Sequence, residues 1–507
     1  MPSPAAWGLL KYCLQGKGRI PMRLGRVWQR VRSLSERPHN LLAISDLHLG
    51  CDLRPGNRLD KPRPADGPLA SFLRHHAAQR EGGKPWRLIL NGDIVDFVAI
   101  TLVPKEPVPF EISREERALG LAPTEPKCVW KLRRTAERHP GVFDALAHFV
   151  HRGNSVHIIR GNHDSEWRWP AVQEELRCIL AERSGCPRRK IDRLVEFHDW
   201  FYLEPGFFYA EHGHAHDHYS VQPDFFSAHN DDAEIELPLS SKVLRYFVNR
   251  YAEQVELADD VDAWGLKEYL DWVLKAGNPL RVAADYFVMV FRVIYPMVRQ
   301  SLRISRAFAR AADKALAPAM DRDAHVRQLL GRFQGTDRQA QQLAEIASRP
   351  AEQSLFDSMQ LFYLDRMLLA VVCLVVAWCL ARAVNGLWAE IGALTCVGII
   401  FAALNARLGK QRRTNAHPML QAAARRVAKV FDVKYIVMGH SHRMVEEAVG
   451  NTTRYFNLGS WTGRSNDGFP HVVVTGGLAE LRRWKGASVV NSTPDPLISP
   501  AIVPVPA

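Results

Sequence analysis

Five short apolar runs rich in strand-forming residues, 41–45, 87–91, 155–160, 206–210 and 434–439, each lead into a cluster of Asp, Asn or His. Runs of this length, bounded by glycine and polar residues, read as buried strands. The clusters, in chain order, are Asp46-Leu47-His48, Gly92-Asp93, Gly161-Asn162-His163-Asp164, His212-Gly213-His214 and Gly439-His440-Ser441-His442. Helical periodicity fills intervals such as 68–80 and 128–151, so the layout is strand, helix, strand, and layered α/β folds assemble their sites at the carboxyl ends of such strands. The stretch 453–490 alternates in the manner of antiparallel strands.

Any one cluster is weak, because Gly-Asp is a common turn and a lone His is more often a structural residue than a ligand. Five in series are a different matter. Asp, Asn and His offer the mixed oxygen and nitrogen donors that suit Mn, Fe, Zn or a similar divalent ion. The eight cysteines form no CxxC pair and read as free thiols of a reducing compartment.

On these residues the sequence resembles the calcineurin-like metallophosphoesterases, whose pattern is Asp-x-His, Gly-Asp, Gly-Asn-His-Asp/Glu, His and Gly-His-x-His. The resemblance implies a four-layer αββα sandwich and two divalent metal ions. One would be held by Asp46, His48, Asp93 and His442, the other by Asp93, Asn162, His212 and His440, with Asp93 bridging and a water activated between them. It further implies that His163 protonates the leaving oxygen and that Asp96 orients it, with Asp164 as the competing partner. His214 and His216, as alternate residues of an extended segment, would face the substrate together. The protein Ser/Thr phosphatase subgroup carries an Arg directly after the Asp96 equivalent; Phe97 stands there in this chain. The branch related to UDP-diacylglucosamine hydrolase, which cleaves a pyrophosphate on a lipid, looks closer, although it typically has Arg where this chain has His163.

The resemblance covers the core, expected as 39–219 and 416–490. Residues 220–415 carry no further strand pattern and are read as a helical insertion. Within it Arg299, Arg303, Arg306, Arg310 and Lys314 recur at spacings of three or four, placing them on one helix face. Two strongly apolar segments, 367–384 and 391–404, then form a hairpin, 363–405, long enough with its flanks to cross a bilayer. Basic residues lie at its outer ends (Arg366, Arg407, Lys410, Arg412, Arg413) and none in the connection 385–390. That asymmetry places both ends, and the catalytic part, on the cytoplasmic side of the cytoplasmic or inner membrane.

The formal charge of +12 is concentrated in the leader 1–38, since the first forty residues hold eight Lys or Arg against one Glu. The tail 491–507, with five prolines, reads as loose. The functional expectation is hydrolysis of a phosphoester or pyrophosphate bond in a lipid-linked or nucleotide-linked substrate at a membrane surface, with nucleic acid not favoured as partner. Its rivals are a nuclease or cyclic-nucleotide phosphodiesterase and a metal-binding membrane scaffold without turnover.

Overall fold

The computed structural model describes residues 37–491 apart from 58–60, 224, 226–233, 252–270, 272, 309–325, 329, 332–334, 385, 412–414, 451, 463–466 and 487–488. The leader up to residue 36, Arg310, Lys314, Arg412, Arg413 and the tail beyond residue 491 lie outside the described residues.

Two sheets stack face to face. The first contains β1 (Asn40–Ile44), β2 (Trp86–Asn91), β3 (Ser155–Ile159), β4 (Val195–His198), and, later in the chain, β10 (Phe469–Thr475), β11 (Leu478–Trp484) and β12 (Val489–Asn491). The second contains β5 (Phe201–Glu204), β6 (Phe208–Glu211), β7 (Tyr435–Met438), β8 (Met444–Val449) and β9 (Thr453–Leu458). Their strand orders are β12-β11-β10-β1-β2-β3-β4 and β5-β6-β7-β9-β8. Strands β1 to β4 run parallel, as do β6, β7 and β9, while β10 joins β1 antiparallel.

Strands buried on both faces need apolar residues at every position, and β1 shows how this builds the layers. Leu41 and Ala43 point between the sheets, towards Tyr202, Phe208, Val437 and Phe456. Leu42 and Ile44 point the other way, into a layer built by α1 (Asp66–Ala78), α2 (Glu125–Arg138), α3 (Pro140–His151) and α4 (Pro170–Ser184). The proline that opens α3 divides the helical stretch 128–151 in two, since its ring and missing N–H cannot continue α2.

The outer face of the second sheet is covered in the same way, by α7 (Asp337–Ile346) and α11 (Ala416–Val430). The result is the expected four layers. One detail differs: β9, read from its alternation as part of an antiparallel set, pairs parallel with β7 on one side and antiparallel with β8 on the other. Alternation reports only which faces are buried, and is blind to strand direction.

Between β6 and β7 lie α5 (Leu239–Tyr246), α6 (Pro279–Phe308), α7, α8 (Leu355–Leu361), α9 (Leu364–Ala383) and α10 (Leu387–Gln411), with no strand among the described residues. Helices α9 and α10 pack on each other and stand away from the body: over spans of 20 and 23 residues, with mean hydropathy of 2.2 and 2.0, none of the apolar window is buried. Among the described residues, neither apolar window is tucked into the core of the sandwich. At 1.5 Å per residue, α9 reaches roughly the 30 Å of a hydrocarbon layer.

Candidate metal centre

Strands β1, β2, β3, β6 and β7 deliver the five motifs to one edge of the sandwich. Among the described residues, three overlapping groups of donor atoms form there, each within 4.8 Å of one another: Asp46 with His48 and His442, Asp93 with His212 and His440, and His48 with Asp96 and His163; the first two hold residues expected as ligands. Asp93 Oδ2 lies between them, 3.8 Å from His48 Nε2 and 3.2 Å from His212 Nε2. Asn162 joins the second group through its Oδ1, 3.2 Å from His212 Nε2. His442 Nε2 joins the first, 3.1 Å from Asp46 Oδ1 and 3.4 Å from His48 Nε2. All seven residues expected as ligands are thus brought together.

The backbone is bent to achieve this. Among the described residues, six non-glycine positions have positive φ, and five of them are Asp46 (56°), His48 (45°), Asp93 (53°), His440 (64°) and His442 (54°). L-residues avoid this region at a cost of order 1–3 kcal/mol each, and such strain persists where a site requires it. Close approach explains two of the motif glycines. A Cβ at Gly161 would sit 2.1 Å from Asp93 Oδ1, and one at Gly439 would sit 2.5 Å from Asp46 Oδ2.

The donor set fits divalent cations. Buried polar atoms normally find partners, yet Asp46 Oδ1 has no well-aligned hydrogen-bond donor and faces only the His442 ring, Nε2 at 3.1 Å. His212 Nδ1 donates to the Asn91 carbonyl at 2.9 Å, so in the neutral ring Nε2 carries a lone pair aimed at two further lone-pair atoms, Asp93 Oδ2 and Asn162 Oδ1. His48 repeats the pattern, with Nδ1 donating to Asp96 Oδ2 at 3.0 Å and Nε2 facing the cluster. Holding a ligand imidazole by its second nitrogen is what metal sites commonly do. Without a cation, protons are drawn in instead: burial pushes His212 down, but Asp93 and Asp46 outweigh it and raise the ring to about 9.

His163 stands beside the cluster. Its backbone N–H donates to Asp93 Oδ1 at 2.9 Å and its Nδ1 donates to Asp96 Oδ1 at 3.1 Å, leaving Nε2 as the outward proton carrier. Burial lowers this ring too, yet Asp96 and then Asp93 raise it to about 10. Asp96 therefore serves two imidazoles at once, His48 and His163, and its own pKa is held well below the carboxylate range.

Asp164 does not reach His163 as a partner. Its Oδ1 accepts from Gly161 N at 2.6 Å, and its Oδ2 accepts from Ile94 N at 2.7 Å and Trp167 Nε1 at 2.9 Å, so it clamps the two motif loops together. His214 and His216 sit on a single 3₁₀ turn after Gly213 (φ 111°), not on an extended segment. His216 is buried with Nε2 2.7 Å from Glu211 Oε1, and His214 is buried between His212 and Phe225. Neither imidazole opens to a substrate.

In the sequence Asp217 is only one of the polar residues that crowd the loop after His212, but the structure gives it a defined place. Its Oδ2 accepts from His440 Nε2 at 3.1 Å and from Ser220 Oγ at 2.8 Å, while Oδ1 accepts from Tyr219 N at 3.0 Å. The insertion then braces this loop: Ser348 N and Ala351 N donate to the carbonyls of Ala215 and His218 at 2.8 and 2.7 Å.

Comparison with known proteins agrees with this geometry. Residues 39–274 match the model of the calcineurin-like phosphoesterase family, a span that includes every motif up to His212 but not His440 or His442. No curated protein and no solved structure matches the chain. Residues 39–274 therefore form a calcineurin-like phosphoesterase domain.

Proposed function

We propose that the chain hydrolyses a phosphoester or pyrophosphate bond of a lipid-linked or nucleotide-linked substrate at a membrane surface, using two divalent cations of the Mn, Fe or Zn type. The observation that carries the reading is Asp93, whose carboxylate lies between two His/Asp groups while accepting the backbone N–H of the proton carrier His163. Asp46, His48, Asp93 and His442 would hold one ion, and Asp93, Asn162, His212 and His440 the other. When bound, such a pair supplies Lewis acidity towards phosphoryl oxygens and an acidified water.

The chain's own residues supply the rest. His163 Nε2, with a side chain 22% exposed, presents a proton at the mouth of the site, and Asp96 fixes the ring by its Nδ1. General acid catalysis of this kind contributes about 10²–10⁴ when the leaving group is basic. Strain at five of the ligand positions keeps the donors preorganised, so little rearrangement is needed on loading.

Support for the membrane surface is the exposed hairpin α9–α10, whose base is tied to the loop 214–219 through residues 348–362. Arg366 and Arg407 at its outer ends, against a connection lacking basic residues, favour a cytoplasmic catalytic face. The test is a hydrolysis screen of metal-loaded protein against phosphomonoesters, phosphodiesters, nucleotide-linked pyrophosphates and phospholipids. Turnover confined to nucleic acid or cyclic nucleotides would overturn the substrate reading. Absence of any turnover with both ions bound would favour a scaffold.

A further inference from the structure

Helix α6 is apolar on two faces, and among the described residues only one of them packs against the body. Val282, Met289, Val290 and Val293 are buried, the last three against Tyr219, Leu239 and Phe362. On another face, Leu280, Phe287, Phe291 and Tyr295 are 81%, 51%, 65% and 51% exposed. At about 100° per residue these four fall within a single stripe, and Arg281, Arg292 and Arg299 fall together along one edge of it. Arg292 reaches sideways to Glu115 at 2.9 Å, and Arg281 and Arg299 are exposed.

A soluble surface has no use for a continuous row of aromatic and aliphatic side chains. The helix that bears this row passes the point where the hairpin leaves the body. Tyr286 donates its hydroxyl to the carbonyl of Phe362, two residues before α9. Helix α8, which contacts α6, exposes Leu355 and Phe356 (43% and 52%) immediately before the same hairpin. Exposed apolar surface thus runs from α6 through α8 into α9 and α10.

We propose that the outward face of α6 docks into the headgroup region of the bilayer as an in-plane amphipathic helix, a third membrane contact distinct from the two hairpin helices. The apolar stripe with a basic margin is the pattern of such helices, with aromatic rings at the depth of the headgroups and guanidinium groups reaching lipid phosphates. The partner is the lipid surface, because the stripe adjoins α9 and α10, two helices apolar and long enough to cross a bilayer, and carries a basic margin suited to lipid phosphates. This inference rests on the membrane part of the function proposed above and is independent of the metal chemistry. Through Tyr219 and Leu239, packed on the other face of α6, it would hold the loop carrying Asp217 beside the bilayer surface.

A photoreactive phenylalanine analogue placed in the full-length chain at Phe287 or Phe291, irradiated in native membranes and read by mass spectrometry, tests the idea. Control probes at Val375 in α9 and at Asp144 on α3 set the two extremes. Phospholipid adducts at 287, 291 and 375 but not at 144 are the expected result. A covalent dimer through 287 or 291 would assign the face to a second copy and overturn the proposal. Lipid adducts at 375 alone would also overturn it while leaving the hairpin as an anchor. Absence of lipid at 375 as well would remove the membrane reading altogether, with hydrolysis of a soluble ester unaffected.

Discussion

The two oxygens of Asp96 hold the first nitrogens of His48 and His163, so one carboxylate orients both the proposed ligand and the proposed acid. Replacing His163 with Ala should lower turnover by about 10²–10⁴ for poor leaving groups and far less for nitrophenyl esters, with metal content unchanged. Equal losses for both would show that His163 is not the acid. The pH profile carries a second signature. A His raised above its ordinary 6.5 keeps its proton as pH rises and loses it only near the raised value, which bound cations would pull down from about 10. Asp96→Asn removes the largest raising influence, so the alkaline limb of kcat/KM should move towards lower pH. An unmoved limb would detach Asp96 from His163. Asp217→Asn, which weakens the hold on His440, should cost about 10–100-fold in metal affinity, measured by chelator competition. Unchanged affinity would reduce Asp217 to a loop-forming role.

At the scale of elements, the strands that end in motifs were legible because burial on both faces leaves an uninterrupted apolar run, as in Leu41-Leu42-Ala43-Ile44. Strands β4 and β8 were not, since their half-exposed edges carry residues such as Glu196, His198, Glu446 and Glu447 that blur any pattern, and β5, although buried, is only four residues long. The seven residues expected as ligands, which the structure brings to one edge, were legible from motif order. The inward turn of His214 and His216 was not, because a 3₁₀ turn three residues long has no periodicity to read. The hairpin was legible in composition, and the structure adds that none of its apolar window is buried. If α9 and α10 span a bilayer, the protein should sediment with membranes, resist high salt and alkaline carbonate, and be released by detergent, because burial of apolar helix is not screened by ions. Recovery in the salt-washed soluble fraction would refute the anchor.

At the scale of the whole molecule, the sandwich carries an acid-sensitive layer away from the metal centre. His76 in α1 and His471 in β10 are buried among Phe72, Trp86 and Trp484, and burial lowers them to about 4 and about 3. A His with a depressed folded pKa stays neutral while the unfolded chain takes up a proton, so stability falls as pH drops from about 6.5 towards the folded value. Each contributes on the order of 3 kcal/mol of lost stability by about pH 4, at about 1.4 kcal/mol per pH unit. Acid unfolding of the detergent-solubilised protein, followed by tryptophan fluorescence, should therefore become shallower in His471→Met. An identical acid transition would show that this layer does not govern it.

The joining of both His/Asp groups through Asp93 is the claim on which the rest depends, and metal content measured alongside hydrolysis tests it most directly. Full-length protein loaded with Mn and freed of excess ion should retain two ions per chain and hydrolyse a nitrophenyl phosphodiester. Asp93→Asn should lose bound metal and turnover together while the circular dichroism of the sandwich persists. Normal turnover with a full metal complement in Asp93→Asn would contradict a centre bridged by this carboxylate.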